Sequence, residues 1–214
     1  MDPYTAAGRR KLYRHLGRLS PQPGSGTALS VMRARTWTYP VPDLRPLIHA
    51  PYAITGGVAT RLYMQERESN DLDILVHASD SERVGADLCR AGASFMQSHP
   101  AGGSRWLLPG GSVLDVLALA DPWVDEALSN SQYAPDGQPV VSLSVLVVMK
   151  LTSCKRFDWG DLARLVGDLD DGALAPIRGD VARHIPDAAD DLEWLIERGR
   201  LEYTAPASDK GADA

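Results

Sequence analysis

Residues 69 to 76 read SNDLDILV, and this stretch constrains the fold more than any other part of the chain. Its apolar residues indicate a largely buried strand, yet Asp71 and Asp73 stand within it. Side chains two positions apart in a strand lie on the same face, so we expect the two carboxylates to project together, about 6–7 Å apart.

Two neighbouring anions repel each other and lose hydration, and a divalent cation with oxygen ligands commonly relieves both costs. The simpler interpretation is a strand that begins with two solvated acids. A third acid favours the cation, because Asp115 stands alone in the apolar stretch SVLDVLAL, where an unpaired carboxylate is expensive. Asp71, Asp73 and Asp115 on two neighbouring strands therefore predict a Mg²⁺ site.

The order of the remaining segments predicts the fold class. Gly56 and Gly57 precede a helical pattern, which is followed by the strand from Asp71, a helix over 80–93 and a hairpin over 105–120 with a Pro-Gly-Gly turn. From about residue 142 the apolar period is helical throughout. We expect an α/β core, a mixed sheet flanked by helices, followed by a C-terminal helical lobe.

The predicted organisation has four parts. They are a basic N-terminal helix with a linker (1–27), the α/β core (28–141), the helical lobe (142–203) and a flexible tail (204–214). The N-terminal helix carries Arg9, Arg10, Lys11 and Arg14, which can either contact RNA phosphates or form a solvated face.

Composition excludes several classes of protein. The net charge of −6 disfavours a broad nucleic-acid-binding surface, and no apolar run is long enough for a membrane span or a secretory signal. We therefore expect no membrane association and a cytoplasmic location. Cys89 and Cys154 have no partner at metal-ligand spacing and are interpreted as reduced packing residues.

Three clustered acids suit phosphoryl or nucleotidyl transfer, in which Mg²⁺ neutralises triphosphate oxygens. Thirteen residues separate Gly57 from Asp71, the first acid of the strand. Their backbone N–H groups, with no Cβ in the way, can approach a phosphate, although a Gly-Gly pair alone is more often a turn.

Gly-Gly, a helix, a hydrophobic-Asp-x-Asp-hydrophobic strand and a lone Asp on a later strand together resemble the nucleotidyltransferase superfamily related to DNA polymerase β. The resemblance spans residues 52 to about 168. Within it, GGVATRLYMQERESNDLDILV is similar to the AbiEii-type branch, the toxins of type IV toxin–antitoxin systems. Arg67, Ser69, Asp71 and Asp73 fall on that pattern.

The branch also has a lysine on a downstream helix followed by basic and acidic residues, to which MKLTSCKRFDWGDL corresponds. Lys150 is also notable in itself, as the one charge in VSLSVLVVMKLTS, and we expect it to contact a triphosphate rather than extend into solvent. Either Asp158 or Asp161 matches the last acidic position of the family. Both open a predicted helix, where a capping role is equally compatible.

The resemblance implies a Mg²⁺-dependent enzyme with NTP as substrate. Asp71, Asp73 and Asp115 would bind the metal, and Asp115 would help to activate an acceptor hydroxyl. The nucleotide-binding residues would be Gly56, Gly57, Arg67, Ser69, Lys150, Lys155 and Asp158, with Asp161 and Lys150 among the catalytic residues.

The resemblance further implies an RNA acceptor, the tRNA 3′ end, and a cognate antitoxin as partner. Two alternatives stay open. One is transfer to a hydroxyl of a small molecule or a protein, and the other is a non-catalytic module that binds nucleotide or RNA.

Overall fold

The computed structural model describes residues 5–19, 41–64, 71–99, 102–153 and 158–204. Within these ranges one seven-stranded sheet has the order β3-β4-β5-β2-β1-β7-β6. Its strands are β1 (Ala53–Thr55), β2 (Asp71–His77), β3 (Ser94–Ser98), β4 (Gly103–Leu107), β5 (Val113–Leu119), β6 (Gln132–Tyr133) and β7 (Pro139–Val140). The pairs β2–β5 and β1–β7 are parallel and the other pairs are antiparallel, so the predicted mixed sheet is confirmed.

The central strands β2 and β5 carry the core of the sheet unit. Ile74, Leu75 and Val76 follow one another without a polar residue and are fully buried, as are Leu114 and Val116 on β5. Consecutive buried residues point to opposite faces of a strand, so both faces of the sheet are covered here. Each such side chain contributes about 1.5–3 kcal/mol on burial.

Among the described residues of the sheet unit there are three α-helices, α2 (Gly56–Thr60), α3 (Ser81–Arg90) and α4 (Val124–Ser129). The helix expected after Gly57 is short, since α2 ends at Thr60 and the chain continues in turns as far as Met64. Strand β3 and helix α4 were not predicted from the sequence. The residues of β3, SFMQS, do not alternate between apolar and polar as those of a half-buried strand do, and all five are exposed.

The sheet unit spans Arg35–Ser142, and a second compact unit, which is entirely helical in its described part, comprises Met1–Ala34 and Leu143–Ala214. It contains α5 (Leu143–Ser153), α6 (Asp158–Gly167), α7 (Asp171–His184) and α8 (Ala189–Thr204), which confirms the helical lobe. Helix α1 (Ala6–Leu19) belongs to the same unit. No helix within the described ranges has the length and apolar character to cross a membrane.

Helices α6 and α8 approach each other closely at two glycines. A Cβ atom on Gly167 would lie 2.6 Å from the Cα of Gly199, and one on Gly199 would overlap the carbonyl of Ala163. The absence of side chains at both positions therefore permits this crossing.

The interpretation of Cys89 as a packing residue is wrong, because it is a free and exposed cysteine on α3. The buried positions of that helix are Val84, Asp87 and Leu88, which places Cys89 beside the buried face rather than on it. Cys154, the predicted linker and the predicted tail from residue 205 onward lie outside the described residues, whereas Thr204 is the last residue of α8.

Candidate active site

A row of polar residues crosses four adjacent strands of the sheet. Thr55 on β1 pairs with Asp73 on β2, Asp73 pairs with Asp115 on β5, and Asp115 pairs with Arg105 on β4. Residues opposite each other in neighbouring strands project from the same face, and Asp71 shares that face with Asp73. The three acids that the sequence singled out are therefore neighbours.

Arg105 binds two of these acids. Its Nε donates to Asp115 Oδ1 at 2.6 Å and its Nη2 donates to Asp115 Oδ2 at 2.5 Å, which is the bidentate geometry of an arginine–carboxylate pair. Nη2 also donates to Asp71 Oδ2 at 3.1 Å. The guanidinium thus links the acids of β2 and β5.

The pair is buried on the aspartate side, since only 5% of the Asp115 side chain is exposed. Burial raises the pKa of Asp115, but the hydrogen bonds and charge of Arg105, together with the nearby His99, outweigh it, and the net pKa lies below its usual value. Hydrogen bonding to Asp115 in turn raises the pKa of Arg105. Both groups therefore stay charged at neutral pH.

His99 approaches the same carboxylate from the turn between β3 and β4. Its Nε2 lies 3.3 Å from Asp115 Oδ1, at ion-pair distance, but it forms no hydrogen bond within the described part of the chain. The backbone N–H of His99 donates to the carbonyl of Gly103, which fixes the turn beside β4. Asp115 thus has two basic side chains within contact distance.

Gly56 brings the backbone against Asp73. It has a φ of 63°, a conformation that residues with a Cβ rarely adopt, and a Cβ at this position would overlap the Asp73 carboxylate. Gly57 follows in the first turn of α2, where its carbonyl accepts a hydrogen bond from Thr60 Oγ1 at 2.5 Å. The predicted Gly-Gly segment therefore lies next to the acid row, where position 56 requires glycine for steric reasons.

The fit of this row to Mg²⁺ is partial. Asp71 and Asp73 offer the hard carboxylate oxygens that Mg²⁺ prefers, on one face of one strand. Both oxygens of Asp115 accept hydrogen bonds from Arg105 instead. Across the described ranges, no three His, Cys, Asp or Glu side chains form a group arranged to hold a metal ion. The three-carboxylate metal site remains a prediction.

Lys150, Asp158 and Asp161 meet in the helical unit. Lys150 Nζ donates to Asp158 Oδ1 at 2.9 Å and to Asp161 Oδ2 at 3.3 Å, and the lysine is buried, with 7% of the residue exposed. The alternative of a lysine extended into solvent is therefore wrong. Ser153 Oγ also donates to Asp158 Oδ2 at 2.9 Å. Both candidates for the last acidic position contact the lysine.

The basic face of α1 is engaged within its own unit. Arg10 is buried and donates to Asp191, Asp187 and the carbonyl of Leu151. Arg9 donates to the carbonyl of Ser153 at 2.8 Å. Arg10 is therefore unavailable to RNA phosphates, whereas Lys11 is exposed, and RNA contact through the rest of this face stays a prediction.

Three of the predicted nucleotide-binding residues, Arg67, Ser69 and Lys155, lie outside the described residues. Two residues beside the acids, Arg105 and His99, were missed. A signal for Arg105 did exist: a hairpin whose turn is Pro109-Gly110-Gly111 pairs Arg105 with Asp115 when its strands are counted outward symmetrically from the turn.

No protein-family model matches the chain, and no curated protein matches it. Among solved structures, it is similar to the crystal structure of ANT(2″)-Ia in complex with adenylyl-2″-tobramycin, with 20% identity, a TM-score of 0.38 and coverage of 72% of this chain and 88% of that chain. It is also similar to the solution structure of the antibiotic-resistance factor ANT(2″)-Ia, with 20% identity, a TM-score of 0.37 and coverage of 72% and 83%. At this sequence identity and TM-score, the similarity carries no conclusion about the activity or the substrate of this chain.

Proposed function

We propose that this protein is a nucleotidyltransferase that transfers NMP from an NTP to an acceptor hydroxyl. The observation that supports this most directly is the register of Asp73 with Asp115, with the backbone of Gly56 against the Asp73 carboxylate. Glycine next to paired strand acids is the combination that the resemblance to polymerase β-like enzymes predicts. The mixed sheet with its helical lobe fits that core.

In this reaction the acceptor oxygen forms a bond to the α-phosphorus, the bond from that phosphorus to the bridging oxygen breaks, and pyrophosphate leaves. Asp71 and Asp73 would hold Mg²⁺, which when bound supplies positive charge to the phosphates. The backbone N–H groups of Gly56 and Gly57 would face phosphate oxygens. The hydroxyl proton passes to a carboxylate of the acid row or to solvent.

As the acceptor we propose the 3′ hydroxyl of RNA, at the tRNA acceptor end, with a cognate antitoxin as partner. This proposal depends on the similarity of residues 56–76 to the AbiEii-type pattern alone. The basic face of α1 does not support it, because Arg10 is buried. Hydroxyls of small molecules and of proteins are the alternative acceptors.

The test is incubation of the purified protein with Mg²⁺ and each α-³²P-labelled NTP in the presence of tRNA, cell protein or a set of hydroxylated small molecules. Label on tRNA supports the full proposal, and label on another acceptor supports nucleotidyl transfer but replaces the acceptor. Asp73→Ala should abolish transfer, because it removes a carboxylate from the acid row. Asp125→Ala, an exposed aspartate on α4, is the matched control and should retain transfer.

Wild-type turnover in Asp73→Ala would contradict the site assignment. A thermal shift with RNA but none with Mg²⁺ and NTP, and no transfer to any acceptor, would favour the non-catalytic binding module instead.

A further inference from the structure

Arg105 occupies the place at Asp115 that the sequence assigned to a metal ion. Both oxygens of Asp115 accept hydrogen bonds from this one guanidinium, at 2.6 and 2.5 Å. The arginine comes from β4, directly opposite Asp115 in an antiparallel register, so the two strands fix the pairing. Bidentate pairing of this kind is geometrically specific, and a lysine cannot reproduce it.

We infer that Arg105 replaces a second divalent cation in this site, so that one metal ion binds through Asp71 and Asp73 while Asp115 positions Arg105 instead of binding metal. This inference rests on the proposed function. Asp115 is then a positioning residue that holds Arg105, and the guanidinium of Arg105 supplies the positive charge that a second metal ion would otherwise supply.

The basic side chains around Asp115 support this assignment. The guanidinium of Arg105 and, at 3.3 Å, the imidazole of His99 already lie within ion-pair distance of this buried carboxylate. A second divalent cation at Asp115 would have to displace a guanidinium that is held there by two hydrogen bonds and whose charge would then repel it.

Arg105 also reaches Asp71 through Nη2, at 3.1 Å. Asp71 is more open than Asp115, since 39% of its side chain is exposed, against 5%. A metal ion arriving from solvent therefore meets Asp71 before it meets Asp115, and Arg105 keeps its two bonds to Asp115 when the single bond to Asp71 is exchanged for the metal.

The experiment measures Mn²⁺ binding, by electron paramagnetic resonance and calorimetry with Mn²⁺ alone. The central variant is the double substitution Arg105→Gln with Asp115→Asn, which removes one positive and one negative charge together and leaves no unpaired buried charge. The control is Arg45→Gln with Asp43→Asn, because this pair is also bidentate, at 2.9 Å for both bonds, but is exposed.

We expect the wild type to bind a single Mn²⁺, and both double variants to bind a single Mn²⁺ with an affinity within about threefold of the wild type, since the removed charges nearly cancel. The single variant Arg105→Gln should bind a second Mn²⁺, because it exposes the Asp115 carboxylate to the metal. If Arg105→Gln does not fold, the Mn²⁺ affinity of the double variant tests whether Asp115 is a metal ligand.

A second Mn²⁺ on the wild type would overturn the inference, and so would a loss of affinity of about tenfold or more in the double variant at Asp115, as expected for a removed ligand. Absence of Mn²⁺ binding by the wild type would overturn it as well. Transfer assays distinguish this inference from the proposed function. One bound Mn²⁺ on the wild type without transfer to any acceptor would refute the function alone. Transfer by a protein that binds two Mn²⁺ would refute this inference alone.

Discussion

The sheet unit and the helical unit each bury an aspartate against an arginine, and the two clusters are built differently. In the sheet unit both oxygens of Asp115 bind Arg105. In the helical unit Asp191 accepts from Arg10 Nε through Oδ2 at 2.9 Å, whereas its buried Oδ1 has no hydrogen bond within the described residues and lies 3.4 Å from Arg14 Nη1.

The pKa values differ accordingly. Burial raises the pKa of Asp191, and its arginine partners do not compensate fully. At Asp115 burial acts in the same direction, but the pairing with Arg105 and the nearby His99 outweigh it and the pKa is lowered. At Asp191 the charge of Asp187 adds to the effect of burial. The sign of each pKa shift therefore depends on how far the neighbouring groups offset burial, and two hydrogen bonds from one guanidinium offset it more than one.

The exposure of the acids distinguishes the clusters as well. Two arginines, Arg10 and Arg14, face Asp187 and Asp191 in the helical unit. In the sheet unit Arg105 pairs with the buried Asp115 and also with Asp71, whose side chain is 39% exposed. A partly exposed carboxylate beside a buried ion pair can be reached by a cation from solvent.

The largest effect should come from Arg10→Met. We expect the free energy of unfolding to fall by about 3–5 kcal/mol, because the substitution leaves Asp191 buried without its main partner. Urea denaturation measures the change. The control is Arg178→Met, which breaks exposed ion pairs with Glu193 and Asp171 and should lower the free energy of unfolding far less, because solvent screens these pairs. Equal costs for the two variants would contradict the buried cluster.

The second effect compares Asp115→Asn with Asp191→Asn. Asp115→Asn should lower the free energy of unfolding by about 1.5–3 kcal/mol, since it weakens two charge-assisted hydrogen bonds. Asp191→Asn should lower the free energy of unfolding by distinctly less, because burial already disfavours the charged form of that aspartate. Chemical denaturation at pH 7 gives both values, and a larger cost at Asp191 would reverse the comparison.

The sequence was sufficient to predict the acids of the sheet cluster because strand periodicity is local. Asp71 and Asp73 share a face in any strand, and Asp115 was recognisable as a charge in an apolar run. Arg105, the partner of Asp115, could also have been predicted, since the Pro-Gly-Gly turn sets the register of the hairpin. The parallel register of Asp73 with Asp115 depends on packing between distant segments, which no local pattern encodes.

The helical cluster was beyond prediction for a related reason. Helix α1 carries several basic residues that the sequence does not distinguish. Arg10 is buried because it pairs with Asp191 on α8, which is far from it in sequence. Lys150 shows the opposite case: its apolar neighbours on α5 indicated burial, and Asp158 and Asp161 follow shortly after it in sequence.

The buried cation Lys150 extends the comparison. Lys150→Met should lower the free energy of unfolding by about 1–3 kcal/mol, because Asp158 and Asp161 lose the donor that they share. If Lys150 also contacts the triphosphate, as the sequence predicts, NTP affinity of the folded variant falls at least tenfold in calorimetry. Unchanged NTP affinity would limit the lysine to a structural role, as at Arg10.

The smallest effect is the pH dependence of the two aspartate variants, and it tests the sign of the shifts directly. The pKa of Asp115 is lowered on folding, so its stabilisation is complete above the unfolded value of about 3.9 and is lost as the pH falls through the folded value. The pKa of Asp191 is raised, so its contribution is most favourable below about 3.9 and is lost as the pH rises through the folded value. Differences in unfolding free energy between wild type and each Asn variant, measured from pH 3 to pH 7, should therefore change with pH in opposite directions. Parallel slopes would mean that the two carboxylates experience the same balance of burial and pairing, and the contrast between bidentate and single pairing would then not account for their behaviour.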